Sequence, residues 1–330
     1  MNNRPQTDDT ATRRASMLKT AFGPIIGAAL EDASVIEIMA NPDGALWIER
    51  HGMGRIRQDQ VIRPADAERI IRLVASHIGF DCDKAHPIVS AELPGSGERF
   101  EGVLPPVAVA PAFAIRKAAG RVIALSAYVE AGIMSGADAL TLKSATLKKQ
   151  NILIAGGASS GKTTLANALL AEIAALDDRI LILEDTRELH CGARDVVALR
   201  TSPGVSLETL VRSTMRLRPD RIIVGEVRGG EALDLLKAWN TGHPGGIATV
   251  HANSAASALT RVEQLIGERT THIPCQLIAD AVDLVVFIAR TAEGRRVKEI
   301  VRVEGLDHDG YRLAKPNPLE LIVNNEGAPR

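Results

Sequence analysis

Aromatic side chains are scarce. Trp 2, Tyr 2 and Phe 5 make up 3% of 330 residues, too few for the stacking platforms that hold single-stranded nucleic acid. Neither charge sign dominates. Lys plus Arg number 39 and Asp plus Glu 40, a net charge of -1, so the basic excess of a dedicated nucleic-acid binder is missing and no direct sequence-specific nucleic-acid contact is expected. The cysteines are 3, namely Cys82, Cys191 and Cys275. They are far apart and odd in number, with no C-x-x-C pair, which excludes a zinc knuckle and a disulfide framework. Free thiols fit a reducing cytoplasm. No apolar run approaches the roughly 20 residues of a membrane span, so no transmembrane segment is expected. Met1 to Ser16 is polar and lacks the apolar core of a secretory signal, and 1–17 reads as a mobile tail.

What is present is a chain long enough for two domains with real cores, 45% apolar. Its first half is mixed. A helical pattern over 18–30 is interrupted near Gly23-Pro24. Short apolar runs at 35–39, 45–49, 54–58, 88–93, 100–104 and 112–116 read as strands, and one amphipathic helix carries Ala67, Ile70, Ile71, Val74, Ala75 and Ile78 on one face. Lys117 to Arg121 is short, small and charged, and reads as a linker. Beyond it strands alternate with helices. The runs 151–155, 180–184, 195–199, 221–225, 246–251 and 284–289 are apolar almost throughout, as strands buried on both faces must be. The pattern predicts an α/β protein: a smaller α+β N-terminal domain (18–117), a linker (118–122), a C-terminal domain with a mainly parallel sheet and helices on both faces (123–313), and a peripheral tail (314–330).

The chemistry starts at Gly156-Gly157-Ala158-Ser159-Ser160-Gly161-Lys162-Thr163-Thr164. It follows the run Asn151 to Ala155 and opens the helical pattern Leu165 to Leu170. Strand, glycine-rich loop and helix in that order form the context of a P-loop. Gly156 and Gly161 let the backbone point its N–H groups at phosphate oxygens, and the helix N-terminus adds a favourable dipole. All nine residues are therefore candidates to bind ATP. Lys162 would reach the β- and γ-phosphates, and Thr163 would offer its hydroxyl to Mg²⁺.

Ligands of such sheets sit at the carboxyl ends of the strands. There the sequence delivers Glu184, Asp185 and Glu188 after one strand, Glu226 and Arg228 after another, and His251 after a third. Hydrolysis needs a water held in line with the γ-phosphate and a carboxylate to orient it, and Glu226 is the candidate. The position that usually carries the metal-holding aspartate is Gly225, so the second carboxylate near Mg²⁺, acting through water, must be Glu188 or Glu184. His251 is a candidate donor to the γ-phosphate. His243, at the other side of the Gly/Pro turn, lacks that strand-end position, and a lone histidine is more often structural than catalytic.

Four boxes stand in order: 156–164, the acidic stretch 179–189, Arg218 to Gly229, and Thr241 to Asn253. Together they resemble the secretion ATPase superfamily of type II and type IV secretion and pilus motors, in which a glycine at the place of Gly225 is normal. Gly242-His243-Pro244-Gly245 resembles the type IV secretion branch. Glu92-Leu93-Pro94 through Arg99-Phe100, Leu104-Pro105-Pro106 and Phe113 to Lys117 resemble the conjugative-transfer ATPases of the TrbB type. The tetracysteine module usual in type II assembly ATPases is missing. The resemblance implies a RecA-like C-terminal domain, a homohexameric ring, other type IV secretion components as partners, and a cytoplasmic chain peripheral to the bacterial inner membrane. It also implies that arginines at the places of Arg99 and Arg116 reach the phosphates from the N-terminal domain. The expected activity is Mg²⁺-dependent ATP hydrolysis powering conjugative transfer. Rival readings are a pilus or type II motor and a nucleotide-gated scaffold without turnover. A DNA helicase is disfavoured by the missing aromatics and basic charge.

Overall fold

The computed structural model describes the backbone of residues 7–117, 122–202 and 204–317, with side chains from residue 16 onward. The expected linker, but for its last residue, and the tail segments 1–6 and 318–330 lie outside the described residues. The chain divides into two compact units, Met1–Gly120 and Arg121–Arg330.

The first unit runs α1 (Thr7–Glu31), β1 (Val35–Ala40), β2 (Ala45–Arg50), β3 (Gly54–Val61), α2 (Pro64–His77), β4 (Ile88–Glu92), β5 (Arg99–Val103) and β6 (Ala112–Arg116). The strands form one antiparallel sheet in the order β3-β2-β1-β6-β5-β4. Alternate residues Ile38, Ile48, Phe100, Phe113 and Ile115 face Leu18, Phe22 and Ile26 of α1 and Ile70, Ile71 and Val74 of α2 in one core. The helix starts at Thr7, well before residue 18, so 7–17 corrects the expectation of a tail; a polar stretch can extend a helix whose later turns are held by packing. The kink falls at Gly23, which leaves the helical region just before Pro24. Ile78 does not join the buried face of α2. It is the C-cap and is 47% exposed. Lys117 is no linker residue either. Its ammonium donates to the carbonyls of Leu30 (2.5 Å) and Asp32 (2.8 Å), capping the C-terminus of α1, where a cation is favoured.

The second unit runs α3 (Leu125–Glu130), α4 (Gly136–Leu147), β7 (Ile152–Ala155), α5 (Lys162–Ile173), β8 (Ile180–Glu184), β9 (Val196–Arg200), α6 (Leu207–Thr214), β10 (Arg221–Val224), α7 (Glu231–Asn240), β11 (Ile247–Val250), α8 (Ala255–Gly267), α9 (Cys275–Ala281), β12 (Leu284–Thr291), β13 (Gly294–Asp307) and β14 (Gly310–Ala314). The sheet order is β14-β13-β12-β7-β11-β10-β8-β9. Neighbours from β12 to β9 are parallel, whereas β12, β13 and β14 form an antiparallel meander. Helices cover both faces. Leu142 of α4 and Leu165, Leu169 and Ile173 of α5 pack on Ile152, Ile154, Ile182 and Ile223. Leu235, Leu236, Trp239, Leu259 and Val262 of α7 and α8 pack on Leu153, Ile222, Val224 and Val285. The expected tail begins inside β14, which ends at Ala314.

The amino end of the parallel strands is fixed by polar side chains. The Asn151 side chain donates to the Ala281 carbonyl and accepts from the Gly246 N–H, tying β7 to its neighbours. Arg221 opens β10 fully buried. Its Nε donates to Asp178 (2.7 Å) and Nη1 to the Thr146 carbonyl (2.8 Å), while Nη2 is buried without a partner. Lys149 binds the other Asp178 oxygen at 2.7 Å. Burial pushes the Asp178 carboxyl up, but its two cationic donors outweigh this and hold it below the usual range. A buried cation stripped of its partner is costly, about 3–5 kcal/mol. Asp178→Ala should therefore lower unfolding free energy by about that much in urea, and Arg221→Met in the same chain should recover part of it. An additive loss in the double variant would show that the two residues do not act as a pair.

Candidate functional site

β7 ends at Ala155 and α5 begins at Lys162, so the loop between them lies at the carboxyl edge of the sheet. Thr163 and Thr164 stand in the first turn of α5. Ser159 and Gly161 have left-handed backbones, φ 57° and 103°, which aim successive N–H groups into one concavity. Lys162 is buried, and its ammonium donates to the carbonyls of Gly156 and Gly157 at 3.0 Å each. The Ser160 hydroxyl is buried with no hydrogen-bond partner.

Glu188 and Thr163 meet: the Thr163 hydroxyl donates to Glu188 Oε2 at 3.1 Å. Asn167 on α5, fully buried, holds the same segment by donating to the Glu188 carbonyl (3.0 Å) and accepting from the His190 N–H (2.8 Å). Glu184 has another task. It is 4% exposed, and its Oε1 accepts the N–H groups of Glu188 (2.9 Å) and Leu189 (2.8 Å). Of the two carboxylates open as the second oxygen beside Thr163, Glu188 is the one that faces the hydroxyl. A hydroxyl and a carboxylate together are the hard oxygen donors that Mg²⁺ accepts.

Gly225 is explained by the same side chain. A Cβ there would stand 3.0 Å from Glu184 Cγ and 3.3 Å from Oε1. The buried glutamate leaves little room for a side chain at the end of β10, and the acid of that strand stands one residue later, at Glu226.

Glu226 follows. Arg228 donates Nε (2.9 Å) and Nη2 (2.5 Å) to its Oε2, and Arg228 in turn stands 3.5 Å from Asp185. Glu226 Oε1 is buried without a hydrogen-bond donor, although His251 Nε2 lies 2.6 Å away, an ion-pair distance without hydrogen-bond alignment. The other ring nitrogen of His251, Nδ1, is 3.5 Å from the Lys162 ammonium. An ammonium can only donate, so Nδ1 must accept and the ring proton belongs on Nε2, facing Glu226. Burial, reinforced by Lys162, pushes the His251 pKa down against the opposing pull of Glu226, which keeps the ring neutral near pH 7. Lys162, His251, Glu226, Glu188 and Thr163 thus come from four different segments to one strand edge. His243 does not join them. Its Nδ1 lies 2.8 Å from the Pro219 carbonyl, which precedes β10, at the opposite end of that strand from Glu226.

In the first unit, Arg99 and Arg116 are directly paired neighbours on β5 and β6, with Arg116 also opposite Glu37 of β1. Arg116 is exposed and Arg99 half-buried. The sequence reading missed Asn167, which nothing distinguishes from an ordinary polar position of an amphipathic helix. It also missed the arginines of the β12–β13 hairpin, because β13 was not recognised as a strand.

Burial raises the Glu184 pKa from 4.5 to about 7, against the lowering effect of its two backbone donors. A carboxyl whose folded-state pKa lies above the unfolded value contributes stability at acid pH and loses it as pH rises through the folded value. Glu184→Gln keeps the oxygen that accepts both N–H groups but cannot ionise. Its melting temperature should stay near that of the wild type at about pH 5 and overtake it progressively up to about pH 8. A pH-independent gap would mean that Glu184 does not change charge in this range.

Comparison with known proteins identifies the family. The family model described as "Type II/IV secretion system protein" matches residues 19–314. The conjugal transfer protein TrbB of Rhizobium radiobacter is 51% identical over 302 residues, covering 91% of this chain and 93% of that one. The type IV secretion system protein PtlH of Bordetella pertussis is 34% identical, over 84% of this chain and 93% of that protein. Among solved structures, the pilus retraction motor PilT with bound ADP aligns over 93% of this chain and 86% of its own with a TM-score of 0.61 at 18% identity, a likeness of fold. A model matched across nearly the whole chain, together with a relative half identical to it, leaves one assignment: the chain belongs to the type II/IV secretion system protein family.

Proposed function

We propose that this chain is a Mg²⁺-dependent ATP hydrolase that powers a conjugative type IV secretion system. Its second unit would be RecA-like, and it would work as a homohexameric ring beside other secretion components on the cytoplasmic face of the bacterial inner membrane. The observation that carries the reading is the convergence at the carboxyl edge of the sheet, where a P-loop lysine, a hydroxyl–carboxylate pair and an acid–imidazole pair meet. The relatives named for conjugal transfer and type IV secretion supply the biological setting. Among the described residues, no helix is long and apolar enough to cross a membrane.

Each residue has a task the chemistry requires. Residues 156–164 cradle the phosphates with backbone N–H groups, and the Lys162 ammonium exchanges its two loop carbonyls for phosphate oxygens. Thr163 and Glu188 would hold Mg²⁺, which when bound neutralises charge on the β- and γ-phosphates. Glu226 orients the attacking water through Oε1, the oxygen that Arg228 does not hold. Arg228 fixes the other oxygen and so sets the direction of the lone pairs. Neutral His251 donates its Nε2 proton toward the phosphate side of Glu226. Arg99 and Arg116, always charged and able to bind phosphate in a fork, are the arginines we assign to turnover from the first unit.

Glu226→Gln should bind ATP with near wild-type affinity and hydrolyse it on the order of 100-fold or more slowly, because the amide keeps the shape but accepts no proton. Lys162→Ala should lose both binding and turnover. Equal hydrolysis by wild type and Glu226→Gln would move the catalytic role to another acid. Arg116→Ala should assemble normally but turn over about 10³-fold more slowly, the loss expected for a phosphate-stabilising arginine. Light scattering with nucleotide should report about six protomers, the number the family resemblance implies, in a closed ring, since a heterologous contact that does not close gives filaments. A fully active monomer at high concentration is the contrary outcome.

A further inference from the structure

The acids of the site lie on one flank of β7. β11, β10 and β8 follow in that direction, carrying His251, Glu226 and Glu188. The opposite flank is built differently. β12 runs parallel to β7 from Leu284 beside Ile152 to Phe287 beside Ala155, then continues to Thr291 past the level at which β7 has ended. Its hairpin partner β13 returns along the same path, with Arg290 directly opposite Arg295. Ile288, Arg290, Arg295 and Val297 share one face by alternation. Ile288 packs in the core and its side chain lies near Gly161 of the P-loop, so Arg295, on the same face, comes to the loop's outer wall with Arg290 opposite it.

Arg295 touches that wall. Its Nε donates to the Ser159 carbonyl at 3.4 Å, and its Cδ lies 3.1 Å from where a Cβ on Gly161 would be. The arm is held rigidly from behind. The Arg296 side chain donates to the Gly132 carbonyl, and the Val297 N–H donates to the Ile133 carbonyl at 2.8 Å. Among the described residues, no carboxylate stands within ion-pair distance of Arg290 or Arg295. Like charges directly opposite on a sheet repel, and an electron-rich group set against them would relieve this.

The geometry points to Arg295, with Arg290 beside it, as a further nucleotide-binding residue: its guanidinium takes the nucleobase. This rests on the reading of residues 156–164 as an ATP site. The terminal phosphate must face Glu226 and His251, on the β11 and β10 flank. The nucleoside is at the other end of the triphosphate and extends toward β12. There the flat guanidinium, pinned to Ser159 over a residue without a side chain, offers a face to the ring, and a cation over an aromatic ring is attracted to its electron-rich face. The charge of Arg290 strengthens the same attraction. No phosphate contact is needed from either residue.

The test is calorimetric titration of the full chain with ATP, ADP and inorganic tripolyphosphate, each with Mg²⁺. Arg295→Ala should weaken ATP and ADP about 10-fold and equally, as loss of one desolvated cation–π contact implies, and leave tripolyphosphate unchanged. Arg295→Gln keeps a donor for the Ser159 carbonyl but no cation, and should show the same split even if the alanine variant folds poorly. Wild-type ATP affinity in the glutamine variant would overturn the proposal, since Arg295 would then only brace the loop. A parallel loss for tripolyphosphate would overturn it too. If the wild type binds neither ATP nor ADP, the ATPase reading itself fails. If it binds both and the Arg295 variants bind them alike, only this inference fails.

Discussion

One buried carboxylate sets the shape of the site. Glu184 closes β8 with its side chain out of solvent, and a carboxylate there must find donors or stay protonated. It finds the N–H groups of Glu188 and Leu189, and in doing so folds the acidic segment back toward α5. That turn brings Glu188 to Thr163. It also fills the space over Gly225, so β10 can end without a side chain and hand its acid to Glu226, one residue later. Two features that look unrelated along the chain, a double acid after β8 and a glycine where an aspartate is usual, have one steric cause.

The amino end of the sheet shows the complementary economy. Arg221, Asp178, Lys149 and Asn151 are polar and largely out of solvent, yet none bears on the chemistry. They hold the starts of β7 and β10 in register, and a parallel sheet has no hairpins to do this. Arg221 lies only seven residues before Arg228 in the chain, yet the two stand at opposite ends of β10. Its burial at the far end of β10 assigns it to structure, and His243 next to Pro219 goes with it.

Much of this was legible in the chain because it rests on local pattern. The parallel strands are short apolar runs with few alternatives, and each delivers its polar residue immediately after the run ends. Glu226 and His251 could therefore be placed beside Lys162 without coordinates. What could not be read depends on contacts between segments. The choice between Glu184 and Glu188 turns on which side chain is buried, and the two are four residues apart in one acidic stretch. α1 begins in a polar segment whose composition reads as a tail. β13 alternates charged and apolar residues, Arg296, Val297, Lys298 and Glu299 among them, as an edge-side antiparallel strand does, and it offers no apolar run to mark it.

That unmarked strand changes how the nucleotide end of the sheet is understood. A parallel strand must stop near the level of its neighbours, since its chain turns into a crossover helix. An antiparallel hairpin is free of that limit and can carry side chains beyond the edge. The unit uses each kind where its geometry serves. Parallel strands end in a row of acids and an imidazole at one level, suited to a reaction that needs several groups converging on one phosphorus. The meander at β12 and β13 projects past that level along the flank of the loop, and its Arg295 stands beside Ser159 and Gly161, the two left-handed residues of the loop. Strain held in a loop of this kind persists only when its surroundings over-determine it. Lys162 supplies that constraint from inside, through the carbonyls of Gly156 and Gly157 at 3.0 Å each, while Arg295 rests against the outer side at a longer 3.4 Å from the Ser159 carbonyl.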